Sequence, residues 1–278
     1  MKKITLLLIA FFSSALVLGQ ARQTAVRYPV KGKQISLQVD EATVAVEGYN
    51  GDDLVIERDV NYPAFNPQVP GFSLLTSGVT GGDDFVHPGD ISDEPDLFYV
   101  RLRSVYNAGL NYRHWHILVP KNAHLKVAFV ISQTGAKMSF KNLSNELEVA
   151  GTAPVMEFSN ISGPLTLSEG VRNHQIGGTE KIIIRHLQPG QKSFSNDDTP
   201  FLNIITSYGD VDISLPETTK ATVQADVHNG KLYSDLNLIP QKDVFPVVEN
   251  RYAGNLNGGG KMIVINAVYG NVFIRKEK

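Results

Sequence analysis

The chain contains no cysteine. Disulfides, thiol nucleophiles and cysteine-ligated metals are therefore excluded, and so is a lipoprotein anchored through an N-terminal cysteine. It also lacks a positive excess. Lys and Arg number 26 against 28 Asp and Glu, a formal charge of −2, which gives no electrostatic ground for nucleic-acid binding. Apolar residues at the three- and four-residue spacing of a helix are not sustained anywhere after residue 21. Without helices following strands, neither a G-x-S-x-G nucleophile elbow nor a phosphate-cradling loop has its context, although Gly258-Gly259-Gly260 is present.

One long apolar run exists. Lys2-Lys3 precedes Ile4–Leu18, and the small residues Gly19 and Ala21 follow. This is the pattern of a signal peptide over residues 1–21, and the run is shorter than the roughly 20 residues of a spanning helix. The expected product begins at residue 22 and has no transmembrane segment. Losing Lys2 and Lys3 leaves 24 basic against 28 acidic residues, a charge of −4. The expected location is the periplasm, the cell surface or the medium.

What is present is a period. Met138/Phe140, Leu147/Val149, Met156/Phe158 and Leu165/Leu167 follow one another in steps of nine, so two steps make an 18-residue repeat. Residues 138–149 laid over 156–167 match at five of twelve positions, including Asn142 over Asn160. Similar pairs at Ile35/Leu37, Val44/Val46, Leu54/Ile56, Phe129/Ile131, Ile204/Thr206, Ile213/Leu215, Val223/Ala225, Ile263/Ile265 and Val272/Ile274 extend the pattern. Each pair has the i, i+2 spacing of one strand face, and the intervening Gly, Asn, Ser and Asp favour turns.

About fifteen strands of three to five residues are expected. An antiparallel sandwich also uses short strands, but its hairpins have no reason to repeat a turn sequence two strands later. The spacing predicts an all-β single-stranded β-helix, in which Phe140 stacks on Phe158 and Asn142 on Asn160 about 4.8 Å apart. Residues 22–278 form one such domain, interrupted by irregular insertions at about 61–97, 186–200 and 236–258. The insertions at 61–97 and 236–258 are candidates for capping the ends or for binding.

Three stretches resemble the exported bacterial "putative adhesin" domains of unknown function. They are Asn111–Pro120 (NYRHWHILVP), Gly209–Pro216 (GDVDISLP) and Asn257–Gly260 followed by Val268–Arg275 (VYGNVFIR). The resemblance covers roughly residues 35–276, and the 61–97 insertion is larger than usual. It implies a right-handed β-helix, and it supplies no catalytic residue or cofactor.

Chemistry-bearing residues are few. His114 and His116 share one strand face, as metal ligands can, but need a third donor such as His124 or His87. Asp83, Asp84, Asp90, Asp93, Glu94 and Asp96 lie in a glycine-rich acidic insertion that could hold calcium, without EF-hand spacing. Asp210 and Asp212 form an i, i+2 carboxylate pair on a face expected to point outward. Tyr208, Tyr252 and Tyr269 could stack on sugars or cap the coils. The expected function is a non-enzymatic, cofactor-free envelope protein whose adhesin-like or scaffolding surface binds an envelope or extracellular macromolecule, a glycan among the candidates. The alternatives are a polysaccharide lyase or hydrolase on the same scaffold, and a periplasmic metal- or ligand-sensing module.

Overall fold

The computed structural model describes residues 22–40, 43–59, 91–103, 114–131, 136–169, 179–188, 200–240 and 250–278. The signal-peptide segment, His87 and the acidic residues Asp83, Asp84 and Asp90 lie outside them. The described residues form an all-β fold of 21 strands with no helix, and so none long and apolar enough to cross a membrane.

The interior follows directly from the nine-residue step. Strand β9 (Lys137–Leu143) is followed by β10 (Leu147–Thr152), β11 (Val155–Ile161) and β12 (Leu165–Ser168). Consecutive strands do not pair. Instead β9 pairs with β11 and β10 with β12, both parallel and both 18 residues out of phase, with Met138 opposite Met156 and Leu147 opposite Leu165. The chain thus alternates between two sheets. The first contains β9, β11, β13 (Lys181–Arg185), β15 (Asp210–Leu215) and β21 (Val272–Lys276) in that order. The second contains β8 (Leu125–Val130), β10, β12, β14 (Leu202–Thr206) and β20 (Lys261–Tyr269) in reverse order from its other side.

Alternate side chains of both sheets enter one apolar core, in which Phe98, Phe140, Phe158 and most of the Ile, Val and Leu residues are almost fully buried. Each such burial stabilises by about 2 kcal/mol. Phe140 and Phe158 stack at 5.0 Å with an interplanar angle of 6°. Asn160 Nδ2 donates to Asn142 Oδ1 at 3.0 Å, and both residues sit at positive φ (55° and 58°), where asparagine is better tolerated than most residues. Both ladders lie where the 18-residue repeat puts them.

At both ends the spatial order departs from the chain order. Strands β2 (Gln34–Asp40) and β3 (Thr43–Tyr49) do not lie outermost. They slot between β6 (Leu97–Arg103) and β8, and between β7 (His114–Pro120) and β9, respectively. At the other end β20 lies between β14 and β16 (Ala221–Asn229), and β21 lies between β15 and β17 (Leu232–Ser234). Antiparallel strands then complete the ends. They are β1 (Arg22–Pro29), β4 (Asp53–Asp59), β5 (Ile91–Asp93), β18 (Ile239–Pro240) and β19 (Arg251–Leu256). Three of the four sheet edges are strands of two or three residues, which limits unwanted edge-to-edge pairing.

Four expectations need correction. The strands are longer than three to five residues, most spanning five to nine. Leu54/Ile56 does not continue the parallel stack, because β4 turns back antiparallel to β1 and β7. The residues level with Leu147/Val149 are Leu125/Val127 rather than Phe129/Ile131, since the chain takes four more residues before β9 and the offset there is 22. The 236–258 segment is not irregular throughout, because it contains β18 and β19, and the second half of the 61–97 segment contributes β5.

Candidate functional site

The outer face of the first sheet changes character along its length. In β13, β15 and β21 the residues Ile182/Ile184, Val211/Ile213 and Val272/Ile274 point to the core. The period of two therefore turns Lys181, Ile183 and Arg185, then Asp210, Asp212 and Ser214, then Phe273 and Arg275 outward. The register aligns Asp212 with Phe273 and Phe273 with Tyr233 of the edge strand β17, while Ser214 stands beside Arg275.

Asp212 is the centre of this group. It is only 6% exposed because cations cover it. Its Oδ1 accepts from Arg185 Nη1 at 3.0 Å and from Arg275 Nε at 3.1 Å, and Lys181 Nζ stands 3.9 Å from Oδ2. Arg185 also donates to Ser214 Oγ at 2.9 Å. Burial pushes the Asp212 carboxyl up. The hydrogen bond and charge of Arg185, joined by Arg275, outweigh burial and hold it below the usual aspartate value. A carboxylate held ionised in this way is poorly suited to be a general acid. Asp210 is engaged elsewhere, accepting from the Asn271 backbone N–H at 2.8 Å. The outward pair expected from the sequence is thus one carboxylate covered by arginines and one turn-bracing carboxylate.

Aromatic rings flank the arginines. Tyr233 and Phe273 stack at 5.1 Å and 11°, and the Arg275 guanidinium lies 4.6 Å from the Phe273 ring centroid. Tyr233 remains 46% exposed.

A second aromatic pair, of two tyrosines, occupies the nearby turns. Tyr208-Gly209-Asp210 and Tyr269-Gly270-Asn271 are stacked copies of one turn, with the rings 5.3 Å apart at 9°. Gly209 and Gly270 have φ of +90° and +120°, and a Cβ on Gly270 would lie 2.2 Å from the Gly209 carbonyl oxygen, so only glycine fits. Beneath Tyr208 lies Glu169, 4% exposed. It accepts from the backbone N–H groups of Thr179, Ser207 and Tyr208 at 3.0–3.1 Å and from the Thr206 hydroxyl. No sequence signal marks this buried carboxylate, because its partners lie 10 to 39 residues away.

The remaining sequence candidates are separated from this face. His116 is 7% exposed. Its Nδ1 lies 2.8 Å from Glu57 and its Nε2 3.2 Å from Glu47. Glu47 also accepts from Asn142, so a polar chain runs Asn160–Asn142–Glu47–His116–Glu57 across five strands. His114 occupies β7 opposite Thr43, with its side chain outside the described residues. His124 is on the other sheet and cannot complete an H-x-H site with His116. It joins Glu146 and Glu148 instead, 3.6 Å and 3.0 Å from its Nε2, and Lys126 braces the other Glu148 oxygen at 3.0 Å. All three donor atoms lie within 4.8 Å of one another. Tetrahedral zinc ligands at bond lengths of about 2.0–2.2 Å stand about 3.3–3.5 Å apart, so this set could hold such an ion. Burial again opposes the Glu148 shift, but Lys126 and His124 lower its carboxyl overall. Tyr252 packs over Gly254 and donates to the Leu238 carbonyl at 3.1 Å, tying β19 to the segment that carries β18. Burial raises its hydroxyl. Its contacts are those of an end cap.

The chain matches no family model and no curated protein. Among solved structures it is similar to a putative cell adhesion protein from Clostridium sporogenes, at 10% identity and a TM-score of 0.41 over 92% of this chain and 99% of that one. It is also similar to a putative lipid binding protein from Parabacteroides distasonis, at 10% identity and a TM-score of 0.23 over 92% and 97%. At these scores neither likeness carries an argument about function, and the first echoes the adhesin resemblance by its name alone.

Proposed function

We propose that the protein is an exported, non-enzymatic β-solenoid of the cell envelope, right-handed as the family resemblance implies, that binds a glycan on the outer face of its first sheet. The parallel pairing of alternate strands and the stacked Phe and Asn ladders support the solenoid reading. The observation that carries the function is the Tyr233–Phe273 pair, placed on the outside of a sheet whose other outward positions are mostly polar or charged. An aromatic left nearly half exposed on a rigid face offers apolar area to a partner at little ordering cost. Sugar rings suit it, since they present C–H groups on their faces and hydroxyls at their rims.

The test is affinity electrophoresis of the exported protein through gels containing a panel of polysaccharides. Retardation by at least one glycan that Tyr233→Ala reduces at least fivefold is the expected result. Equal retardation of the native protein and Tyr233→Ala by every glycan would reject the reading.

A second reading, a metal-responsive envelope module, is favoured by one observation, the His124–Glu146–Glu148 donor set. It differs from the His114/His116 expectation in both residues and sheet. Zinc that raises the melting temperature of the native protein but not of His124→Ala would support it. No change in either would remove it.

A further inference from the structure

We infer that Arg185 and Arg275 form a receptor for the carboxylate of an acidic polysaccharide, so that the bound glycan is a polymer rich in uronic acid. The inference rests on the glycan-binding reading above and specifies its ligand. Three cations, Lys181, Arg185 and Arg275, face two carboxylates, Asp210 and Asp212, in a chain whose overall charge is −2. Asp235, which accepts from the Lys276 backbone N–H, and Glu277, beside His186, lie at the same edge, so it is the placement of the guanidiniums, not a net positive charge, that suits an anion.

The two guanidiniums are already held in position for an anion. Asp212 is more than nine-tenths buried and spends one oxygen on both of them, through Arg185 Nη1 and Arg275 Nε. Ser214 fixes Arg185 from the side and the Phe273 ring supports Arg275, so neither fork must be ordered when a ligand arrives. Their side chains are 36% and 48% exposed, so both guanidiniums are reachable from solvent. Planar forks of this kind match a carboxylate through paired hydrogen bonds, which a lysine ammonium cannot do. The aromatic pair sits next to them, because Phe273 and Arg275 are i and i+2 on one strand face. A sugar ring against the exposed Tyr233, which is itself stacked on Phe273, would therefore bring its own carboxylate, or that of its neighbour in the polymer, toward the arginines. This is the geometry of a uronate residue, with an apolar ring face and an anionic substituent.

Several neighbouring acidic groups have partners of their own, Asp235 accepting from the Lys276 backbone N–H at 2.6 Å. Glu157 pairs with Lys137, Glu217 with Lys276, and Glu277 with His186.

The experiment compares polygalacturonate with its fully methyl-esterified form, which has the same backbone without the charge, and includes dextran sulfate beside neutral dextran. The native protein should bind polygalacturonate at least tenfold more tightly than the ester, and the preference should shrink at high salt. Arg275→Gln leaves Arg185 and Lys181 on Asp212, so it should fold. It should lose most of that preference while keeping the weak binding of the ester. Arg275→Lys keeps the charge without the fork and should fall between the two.

Equal binding of acid and ester, lost together in Tyr233→Ala, would overturn the anion receptor and leave the glycan reading standing. Strong polygalacturonate binding unchanged in Arg275→Gln would overturn it too, by placing the acid elsewhere. Binding of dextran sulfate alone would reject the uronate assignment, and binding of none of the four polymers would reject the inference outright.

Discussion

Strands β9–β12 and strands β13–β21 are built on the same inner pattern but differ on the outside. In β9–β12 the inner residues repeat as Met138/Met156 and Phe140/Phe158, while the outward positions carry Lys137, Ser139, Lys141, Glu157 and Ser159. Together with Val155 these form a mostly polar face, with Ser139 buried and Lys137 paired with Glu157. In the C-terminal strands the inner residues keep the aliphatic ladder of Ile182, Val211 and Val272, yet the outer columns become Asp212–Phe273–Tyr233 and Arg185–Ser214–Arg275. The repeated region is thus where the fold is most plainly specified. The region where the repeat decays is where side chains are gathered into a site.

The sharpest way to break this comparison is to exchange inside for outside. Phe140→Asp should cost more than about 4 kcal/mol and leave little folded protein, because an unpaired carboxylate replaces a fully buried ring. Phe273→Ala, a comparable loss of aromatic surface on the outer face, should cost about 1 kcal/mol. Urea denaturation of both variants checks this, and similar costs would mean that the outer aromatics are structural after all.

Glu169→Ala should destabilise by about 3 kcal/mol, since it leaves several buried donors without their acceptor. It should also raise amide exchange at Ser207 and Tyr208 and loosen the Tyr208–Tyr269 pair.

Smaller effects are expected in the middle strands. Asn160→Ala should cost about 1 kcal/mol, because alanine disfavours the positive φ and the amide ladder is lost. Asn160→Gly should be close to neutral, with the relaxed backbone offsetting the missing hydrogen bond.

The pH response of the outer site has a defined sign. The folded-state value of Asp212 is lowered, so its stabilising contribution is complete above the unfolded-state value of about 3.9 and is lost as pH falls through the folded value. The stability difference between native protein and Arg275→Gln should therefore be constant from pH 5 to 7 and shrink below about pH 4. A difference that grows on acidification would contradict the pairing.

The Phe140–Phe158 and Asn142–Asn160 ladders were legible because the same residue recurs 18 positions later, where parallel stacking brings it into contact. Register failed at β8 because the longer connection to β9 adds residues that periodicity cannot distinguish from strand. The metal-ligand expectation for His116 rests on the H-x-H spacing of one strand face, but the neighbouring strand β4 runs antiparallel rather than as another parallel rung. Its antiparallel turn delivers Glu57 to the imidazole, and no local pattern announces that. The Asp212 site was illegible for a related reason. Arg185 and Arg275 lie 27 and 63 residues from it, Arg185 brought by the parallel pairing of β13 with β15 and Arg275 by the insertion of β21 between β15 and β17. The alternation that turns them outward could be read in advance, but their neighbours could not.

The claim that the outer face of the C-terminal strands is the binding surface is tested most directly by hydroxyl-radical footprinting with and without polygalacturonate. Tyr233 and Phe273 should lose reactivity on adding the polymer, while Tyr99 on the second sheet should not change. Undiminished labelling of Tyr233 and Phe273 under saturating polymer would contradict the account.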